Sequence, residues 1–295
     1  MDAAMYFGRP GALTKLYDPT GGMLATRDIG TTTFQTGSGG VRVQKGLNGV
    51  RQYVLNYGAL GRASFDYLAQ FHQGHMGVGP FVFLDPGRRN LLTTNQSSST
   101  SVTNDTRDFT VSGAGGTITS DATLTTPLPR TLKWSFGTTT PAAAGLSLDK
   151  PSSVWPGIPV TSRPYTFWCM VVGGPVNLQL SLKWMNLAGG TISTSLSSMV
   201  TTSITNWQMV SLRALTVPVG AVWVQPGVAP DVSTIASGES LFFSSFMLNE
   251  GDNPDDRWAP GTGVYPVQVM SVPERYGFAE PGMMVSPSLV LQEVR

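Results

Sequence analysis

The sequence has little charge, a single cysteine and no long apolar run. Lys, Arg, Asp and Glu make up 13% of the 295 residues, about half of the usual share. The 19 basic residues are almost balanced by 18 acidic ones, and the net charge of +1 argues against a protein that binds nucleic acid mainly by releasing counterions from phosphates. The one cysteine, Cys169, excludes an internal disulfide framework.

A membrane-spanning segment and a secretion signal are also missing from the sequence. No run approaches the roughly 20 apolar residues of a spanning helix. The N-terminal stretch MDAAMYFGRPGALTKLYD lacks a basic segment followed by an apolar one. We therefore expect a soluble protein that does not associate with membranes and is not exported by a signal of its own.

The residues that are abundant predict a mainly β protein. The chain contains 34 Gly and 21 Pro, and Ser and Thr are frequent between short apolar runs. This composition is typical of many short strands joined by turns. With 41% apolar residues, the chain is long enough to bury a core, and its length favours two domains.

The distribution of tryptophan suggests where one domain ends. All seven Trp lie after residue 133, and none precedes the polar stretch NLLTTNQSSST that begins at Asn90. The last 38 residues, 258–295, are too few to build a core alone. We predict that they complete a discontinuous β-sandwich with residues 1–92, and that residues 93–257 form an inserted jelly-roll domain.

The first and last segments contain strand patterns and one helix pattern. VRVQKG, RQYVLNYG, PFVFLDP, VYPVQVMSV and SLVLQEV resemble strands. In RASFDYLAQFHQG, Phe65, Leu68 and Phe71 recur at helical spacing. Ser64 is a candidate cap for the start of this helix, and Gly74 suits its end.

The middle segment has the most regular alternation in the chain. In VNLQLSLKW, apolar residues alternate with polar ones, which predicts a strand with one buried and one wet face. The stretches SRPYTFWCMVV and GAVWVQPGV are more continuously apolar, as expected of inner strands. Strands at this spacing favour a sandwich or jelly roll.

Candidate catalytic and metal-binding residues are weak in this sequence. His72 and His75 are the only histidines, and without a matching Cys or carboxylate they indicate a structural or surface role. Glu239 and Glu250 flank one predicted strand, without the evident cleft that paired carboxylates of a glycosidase require. The acidic stretch NEGDNPDD lacks the spacing of a calcium loop. We predict no catalytic residues, no metal site, no cofactor and no enzymatic activity.

Tryptophan raises the question of sugar binding, because flat aromatic faces stack on sugar rings. Trp184 and Trp207 are in phase with strand cores, which favours packing. Trp155 lies in SSVWPGIPV between Pro and Gly turns, where exposure is easier, and Trp223 fits either role. Trp155 and Trp223 are the candidate carbohydrate-binding residues.

Residues 51–99, from RQYVLNYG through GPFVFLDPGRRNLL to NQSSS, resemble the N-terminal domain of minor tail proteins of the distal-tail type from siphophages of actinobacteria. In that family a strand, a short helix and a strand ending in GPFxxLDP…NLL belong to a tail-tube-like β-sandwich. The resemblance implies a subunit of a ring at the end of the phage tail.

The middle segment resembles jelly-roll carbohydrate-binding modules, which recur as insertions in such tail proteins. The matching stretches are RPYTFWCMV, TNWQMVSL, VPVGAVWVQPGV and LFFSSFMLNEG followed by WAPGTG. These modules often carry an Asp beside a structural calcium in the closing strand. Ser244 stands at the aligned position here, so the resemblance does not carry the calcium over.

Together the two resemblances imply a structural virion protein at the distal end of the tail, assembled in the host cytoplasm. Its expected partners are five further copies in a hexameric ring, the tail tube protein, the tape measure protein and the tail hub or tip proteins. DNA would pass through the channel without specific binding. The alternative is host recognition, in which the jelly roll binds a cell-wall glycan; glycan hydrolysis is a third hypothesis.

Overall fold

In a computed structural model, the chain is mainly β, as predicted, and it contains two short α-helices within its described residues. The structure describes residues 4–28, 31–35, 41–45, 50–58, 60–85, 87, 89–101, 104–113, 116–124, 128–137, 143–149, 154–251, 257–272, 276–279 and 282–294.

The strands are numbered along the chain. They are β1 (Met5–Arg9), β2 (Ala12–Leu16), β3 (Met23–Asp28), β4 (Thr31–Gln35), β5 (Val41–Lys45), β6 (Val50–Asn56), β7 (Val82–Leu84), β8 (Phe109–Gly113), β9 (Thr117–Asp121), β10 (Thr131–Ser135), β11 (Ala144–Leu148), β12 (Ile158–Pro159), β13 (Tyr165–Gly173), β14 (Asn177–Met185), β15 (Thr191–Leu196), β16 (Val200–Thr201), β17 (Gln208–Leu215), β18 (Trp223–Pro230), β19 (Ser240–Glu250), β20 (Val267–Ser271), β21 (Tyr276–Ala279), β22 (Gly282–Val285) and β23 (Ser288–Glu293). The helices are α1 (Arg62–His72) and α2 (Thr94–Ser97), and one 3-10 turn lies at Val232–Thr234.

The chain divides into two compact units. Unit 1 comprises Met1–Arg9, Thr14–Phe83 and Tyr265–Arg295, and unit 2 comprises Pro10–Leu13 and Leu84–Val264. Unit 1 therefore contains both ends of the chain.

The unit boundaries differ from those expected from the sequence. Residues 84–92 and 258–264 group with the middle segment. The reason is a set of hydrogen bonds between the two stretches: Thr262 N donates to Asn90 O, and Gly263 N donates to Leu92 O. We call residues 90–97 together with residues 257–263 the clasp.

Unit 1 has a three-stranded sheet, β2-β1-β7, and a four-stranded sheet, β20-β23-β6-β3. A backbone bridge joins Phe81 to Val267 between them. An aromatic cluster fills the core: the ring centroids of Phe7 and Phe71 are 4.7 Å apart, and those of Phe71 and Phe81 are 4.9 Å apart. Two further two-stranded sheets, β4-β5 and β21-β22, pair with no other strand in the described part of the chain.

Helix α1 supplies the predicted apolar face, with Phe65, Leu68 and Phe71 in the core of unit 1. Its end agrees with the sequence, since Gly74 has φ +77° just beyond the C-cap. Its start does not: Gly61 is the N-cap, and Ser64 lies within the first turn.

Unit 2 is a β-sandwich. One sheet has five strands in the order β17-β13-β19-β10-β9; the other has seven strands in the order β15-β14-β18-β11-β8, with β12 beside β18 and β16 beside β14. Phe109 of one sheet and Phe246 of the other have ring centroids 5.9 Å apart in the core. Tyr165 and Trp184 make a similar contact at 5.9 Å.

The alternation predicted for β14 is confirmed. Leu178, Leu180, Leu182 and Trp184 are fully buried, and the intervening polar residues are partly exposed. β13 and β18, predicted as inner strands, each have neighbouring strands on both sides. The sequence pattern therefore predicted which face of β14 is buried, and that β13 and β18 lie inside their sheets.

The polar segment of residues 93–100, which includes part of the clasp, packs on the sandwich. α2 begins with a capping box formed by Thr93 and Gln96. The fully buried Gln96 side chain donates to the carbonyl oxygens of Asp108 and Asp149, while Thr100 donates to Ser120 Oγ at 2.7 Å. These bonds join the segment to strands of both sheets, so a run of Ser, Thr and Asn is buried with nearly all of its polar groups satisfied.

Candidate functional site

The outward side of the seven-strand sheet carries a row of small residues across four strands. Ser181 of β14 lies opposite Gly227 of β18, Ser147 of β11 lies opposite the same glycine, and Thr110 of β8 lies opposite Ser147. Directly opposed residues share one side of a sheet, and strands are spaced about 4.8 Å apart, so this row spans about 14 Å. We call these four residues the polar trough.

Longer polar side chains stand beside the trough. Gln179 and Lys183 lie on the same side of β14 as Ser181, and Lys183 is opposite Gln225 of β18. All three long side chains are half-buried. Neither they nor the hydroxyls of Ser147 and Ser181 make a hydrogen bond to any described part of the chain, so their polar atoms are available to a ligand.

One position of the trough, Gly227, has no side chain. A Cβ at Gly227 would come within 2.8 Å of Ser181 Oγ and 2.9 Å of the carbonyl oxygen of Leu146. The second distance involves backbone, which cannot move aside cheaply. Glycine is therefore required here, because neighbouring atoms already fill the space that a Cβ would occupy.

The trough is polar but carries little charge. Lys183 contributes the one cation among the residues named above, and Asp149, beyond one end, accepts a hydrogen bond of 2.7 Å from Thr110 Oγ1. The remaining groups are hydroxyls and amides, which both donate and accept hydrogen bonds. This arrangement suits an uncharged ligand with many hydroxyl groups.

The outward side of the other sheet is buried at the middle of its central strands. The strand register places Trp168 opposite Met247, and Met170 opposite Ser244, on the side away from the aromatic core. Trp168 is 3% exposed, and Met247 and Ser244 are each 1% exposed. Trp168, Met247 and Ser244 are therefore inaccessible to a ligand, whereas Met170 is half-buried.

Both candidate carbohydrate-binding tryptophans are buried. Trp155 is 3% exposed and Trp223 is 2% exposed, with ring centroids 5.6 Å apart. Trp223 Nε1 also donates to the carbonyl oxygen of Leu187. The expectation that the turn-rich loop exposes Trp155 is wrong, because the ring packs on Trp223. Neither indole face is open to stack on a sugar.

The two carboxylates at the ends of β19 are far apart. Glu239 precedes this strand and Glu250 ends it. Eleven strand residues span about 35 Å, whereas the paired carboxyls of glycosidases lie within about 10 Å of each other. Glu239 and Glu250 therefore do not form a hydrolytic pair.

Glu250 instead belongs to a hydrogen-bonded cluster at the end of the sandwich. Its Oε1 accepts from Thr161 Oγ1 at 2.6 Å and from the Tyr165 hydroxyl at 3.1 Å. Burial, together with the Glu250 charge, raises the pKa of Tyr165 well above its usual value. The tyrosine thus remains a neutral donor, and the cluster ties the 161–165 turn to β19.

The histidines and other candidate ligands do not assemble into a metal site in the described residues. His72 ends α1 and His75 lies beyond it. Both line a cavity of about 500 Å³ in unit 1. Ser244 is buried, with its Oγ 3.3 Å from Ser245 Oγ. No group of three or more His, Cys, Asp or Glu is suitably clustered within this part of the chain.

Cys169 is a small buried residue of β13. Burial raises the pKa of its thiol. A protonated, inaccessible thiol is a poor nucleophile, so Cys169 has no reactive role in the folded chain.

The polar trough was not predicted from the sequence. The alternation in the sequence of β14 indicates that Gln179, Ser181 and Lys183 face outward, so this part of the site could have been predicted. The alignment of Ser147 and Thr110 with Ser181 depends on strand order, because β8, β11, β18 and β14 are far apart in the chain.

No described helix is long and apolar enough to cross a membrane. No protein-family model matches the chain, and no curated protein sequence matches it.

Several solved structures are similar to part of the chain. The enzymatically active domain of tailspike protein 4 of bacteriophage CBA120 is 14% identical with a TM-score of 0.40, and the match covers 55% of this chain and 21% of that chain. The module TmCBM61 in complex with β-1,4-galactotriose is 15% identical with a TM-score of 0.39, covering 55% of this chain and 99% of that chain. The xylan-binding domain CBM22-1 from Paenibacillus barcinonensis Xyn10C is 11% identical with a TM-score of 0.40, and the match covers 53% of this chain and 93% of that chain. The matched part of this chain thus spans about a fifth of the tailspike chain.

Proposed function

We propose that unit 2 binds a neutral glycan through the polar trough. The observation that carries this proposal is the set of half-buried polar side chains, Gln179, Lys183 and Gln225, that lack hydrogen-bond partners beside a floor of small residues. Strands hold these groups in fixed positions, which lowers the entropy cost of binding. Specificity would come from hydrogen bonds to sugar hydroxyls, since neither Trp155 nor Trp223 presents a ring face.

We expect substitutions in the trough to weaken glycan binding without unfolding unit 2. Lys183→Ala and Gln225→Ala each remove one hydrogen-bonding group, which lowers affinity about two- to tenfold. Ser147→Tyr fills the trough and is expected to abolish binding. Isothermal titration with soluble polysaccharides, including xylan and β-1,4-galactan, and co-sedimentation with actinobacterial cell walls measure the effect.

A matched control uses the lysine of the other sheet. Lys133 of β10 lies 5.4 Å from the ring centroid of Phe242, outside the trough. Lys133→Ala should leave glycan affinity unchanged. If the unchanged protein binds none of these glycans, or if Ser147→Tyr binds as well as the unchanged protein, the proposed site is wrong. Release of soluble sugar from the cell walls would support the hydrolase alternative instead.

We further propose that unit 1 is a ring-forming subunit of a phage tail tip, a structural virion protein that joins the tail tube to the tip or baseplate and carries unit 2 outward. The favouring observation is the two-stranded ribbon β4-β5, which joins no larger sheet in the described residues. Isolated two-stranded ribbons are marginally stable in water, so they favour contacts with neighbouring subunits.

The purified chain is expected to assemble into a closed ring, with six copies as the expected number. Light scattering should then give a mass of about six times 31.4 kDa, and electron micrographs should show rings. Mixing with the tail tube protein tests whether a template promotes closure. A monomer that persists at high concentration, with and without that template, would overturn the ring proposal.

A further inference from the structure

An apolar groove in unit 1 lies next to an open sheet edge. The groove, about 290 Å³ in volume, runs between residues 14–17 and the first half of α1. Its floor is formed by Leu16, Tyr57, Leu60 and Leu68, each no more than 6% exposed. We call this feature the edge groove.

The strand beside the edge groove has an unpaired side. β2 is the terminal strand of the sheet β2-β1-β7, so alternate backbone N–H and C=O groups of residues 14–16 point away from β1 without a strand partner in the described chain. Such an edge accepts an added strand through main-chain hydrogen bonds, while side chains of that strand enter a neighbouring pocket.

The floor of the edge groove also contains an unsatisfied donor. The Tyr57 hydroxyl is buried and has no hydrogen-bond partner among the residues that the structure describes. Burial, with a smaller contribution from Asp18, raises the pKa of Tyr57 to about 12, so the group stays a neutral donor. Tyr17, also part of the groove lining, is 70% exposed. An unsatisfied buried donor is unfavourable in the free subunit and favours a bound acceptor.

The chain also contains a strand pair that needs a partner. β4 and β5 pair with each other through five residue pairs, from Thr31 with Lys45 to Gln35 with Val41, and with no other described strand. Five residues span about 17 Å, which is long enough to lie along β2. The ribbon has two unpaired edges, as β2 has one.

We propose that the ribbon β4-β5 of a second copy of this chain docks on β2 and covers the edge groove. One strand of the ribbon extends the sheet β2-β1-β7, and an acceptor on it receives the hydrogen bond from Tyr57. The donor surface and the acceptor surface are different parts of the chain, so the contact is head-to-tail, and its repetition closes a ring if the rotation between neighbouring copies divides a full turn. This inference rests on the proposed ring function and names its interface.

Cysteine pairs placed on separate chains test the contact. One variant carries Lys15→Cys at the edge groove, and the other carries Arg42→Cys or Val43→Cys in the ribbon. Cys169 is buried and does not interfere. Mixing the two variants under mild oxidation should give a disulfide-linked dimer that neither variant forms alone. A mixture with Lys133→Cys in place of Lys15→Cys is the control and should remain unlinked.

The outcomes separate this inference from the ring proposal. Rings that form without the cross-link would overturn the docking contact and leave the ring proposal standing. A chain that stays monomeric at every concentration, on and off a tube template, and gives no cross-link overturns both.

Tyr57→Phe provides a second readout that a purely structural role would not produce. Removing the unpaired hydroxyl should leave the melting temperature of the free subunit unchanged or raise it. The same substitution should weaken assembly about two- to tenfold per contact, because the hydrogen bond to the docked strand is lost. A loss of stability in the monomer, or unchanged assembly, would contradict the assigned role of Tyr57.

Discussion

Replacing Asn90 with Ala is expected to lower the free energy of unfolding of unit 2 by about 4 kcal/mol. Asn90 is 1% exposed and makes four hydrogen bonds. Its Nδ2 donates to the carbonyl oxygens of Phe246 and Ala259, and its Oδ1 accepts from the N–H groups of Leu92 and Leu248. Alanine would leave two buried donors and two buried acceptors without partners, and burying unsatisfied polar groups is costly.

Urea unfolding followed by tryptophan fluorescence measures this effect selectively. All seven Trp lie between residues 134 and 258, within unit 2, so the signal reports on unit 2 alone. Asn206→Ala is the matched control, because Asn206 is exposed and its side chain makes no hydrogen bond to the described residues. It should change stability by less than about 0.5 kcal/mol. Equal effects for the two variants would show that Asn90 does not hold the clasp together.

Gly261→Ala is expected to destabilise unit 2 by about 3 kcal/mol. A Cβ at Gly261 would come within 2.8 Å of Ser97 Cβ and closer still to the carbonyl oxygens of Leu92 and Thr93. Two of these three neighbours are backbone atoms of the opposite side of the clasp, so the added methyl group must push the two segments apart. That movement would also disturb the hydrogen bond of 2.7 Å from Gly261 N to Ser97 Oγ.

Gly137→Ala is the control for this substitution. Gly137 is exposed, has no positive φ, and has no atom within 4 Å of the position of a Cβ. Its unfolding midpoint in urea should match that of the unchanged protein. A similar midpoint for Gly261→Ala would mean that the exit and return segments separate readily, and that the clasp contributes little to unit 2.

The sequence predicted the elements whose pattern is local. The period-two alternation of β14 and the helical spacing of Phe65, Leu68 and Phe71 each describe one buried face, and that information lies within about ten consecutive residues. The mainly β class followed from composition, whereas Pro226 and Gly227, which have the sequence of a turn, lie inside the continuous strand β18.

The sequence failed where partners distant in the chain decide the outcome. The Ser, Thr and Asn run after residue 92 has the composition of an exposed linker, yet Gln96 is fully buried. Its burial is possible because backbone groups at Asp108 and Asp149 accept its hydrogen bonds. Trp155 has turn residues on both sides, yet it packs on Trp223, 68 positions later. No local pattern reports such contacts.

The sequence by itself determined a weakly charged, mainly β chain in which β14 has one wet face, because composition and alternation act through neighbouring residues. Tertiary structure decided that Ser181, Gly227, Ser147 and Thr110 form one row, because strand order and register join four separate parts of the chain. It likewise decided that residues 84–92 and 258–264 belong to unit 2, because their polar groups are satisfied by each other and by β19.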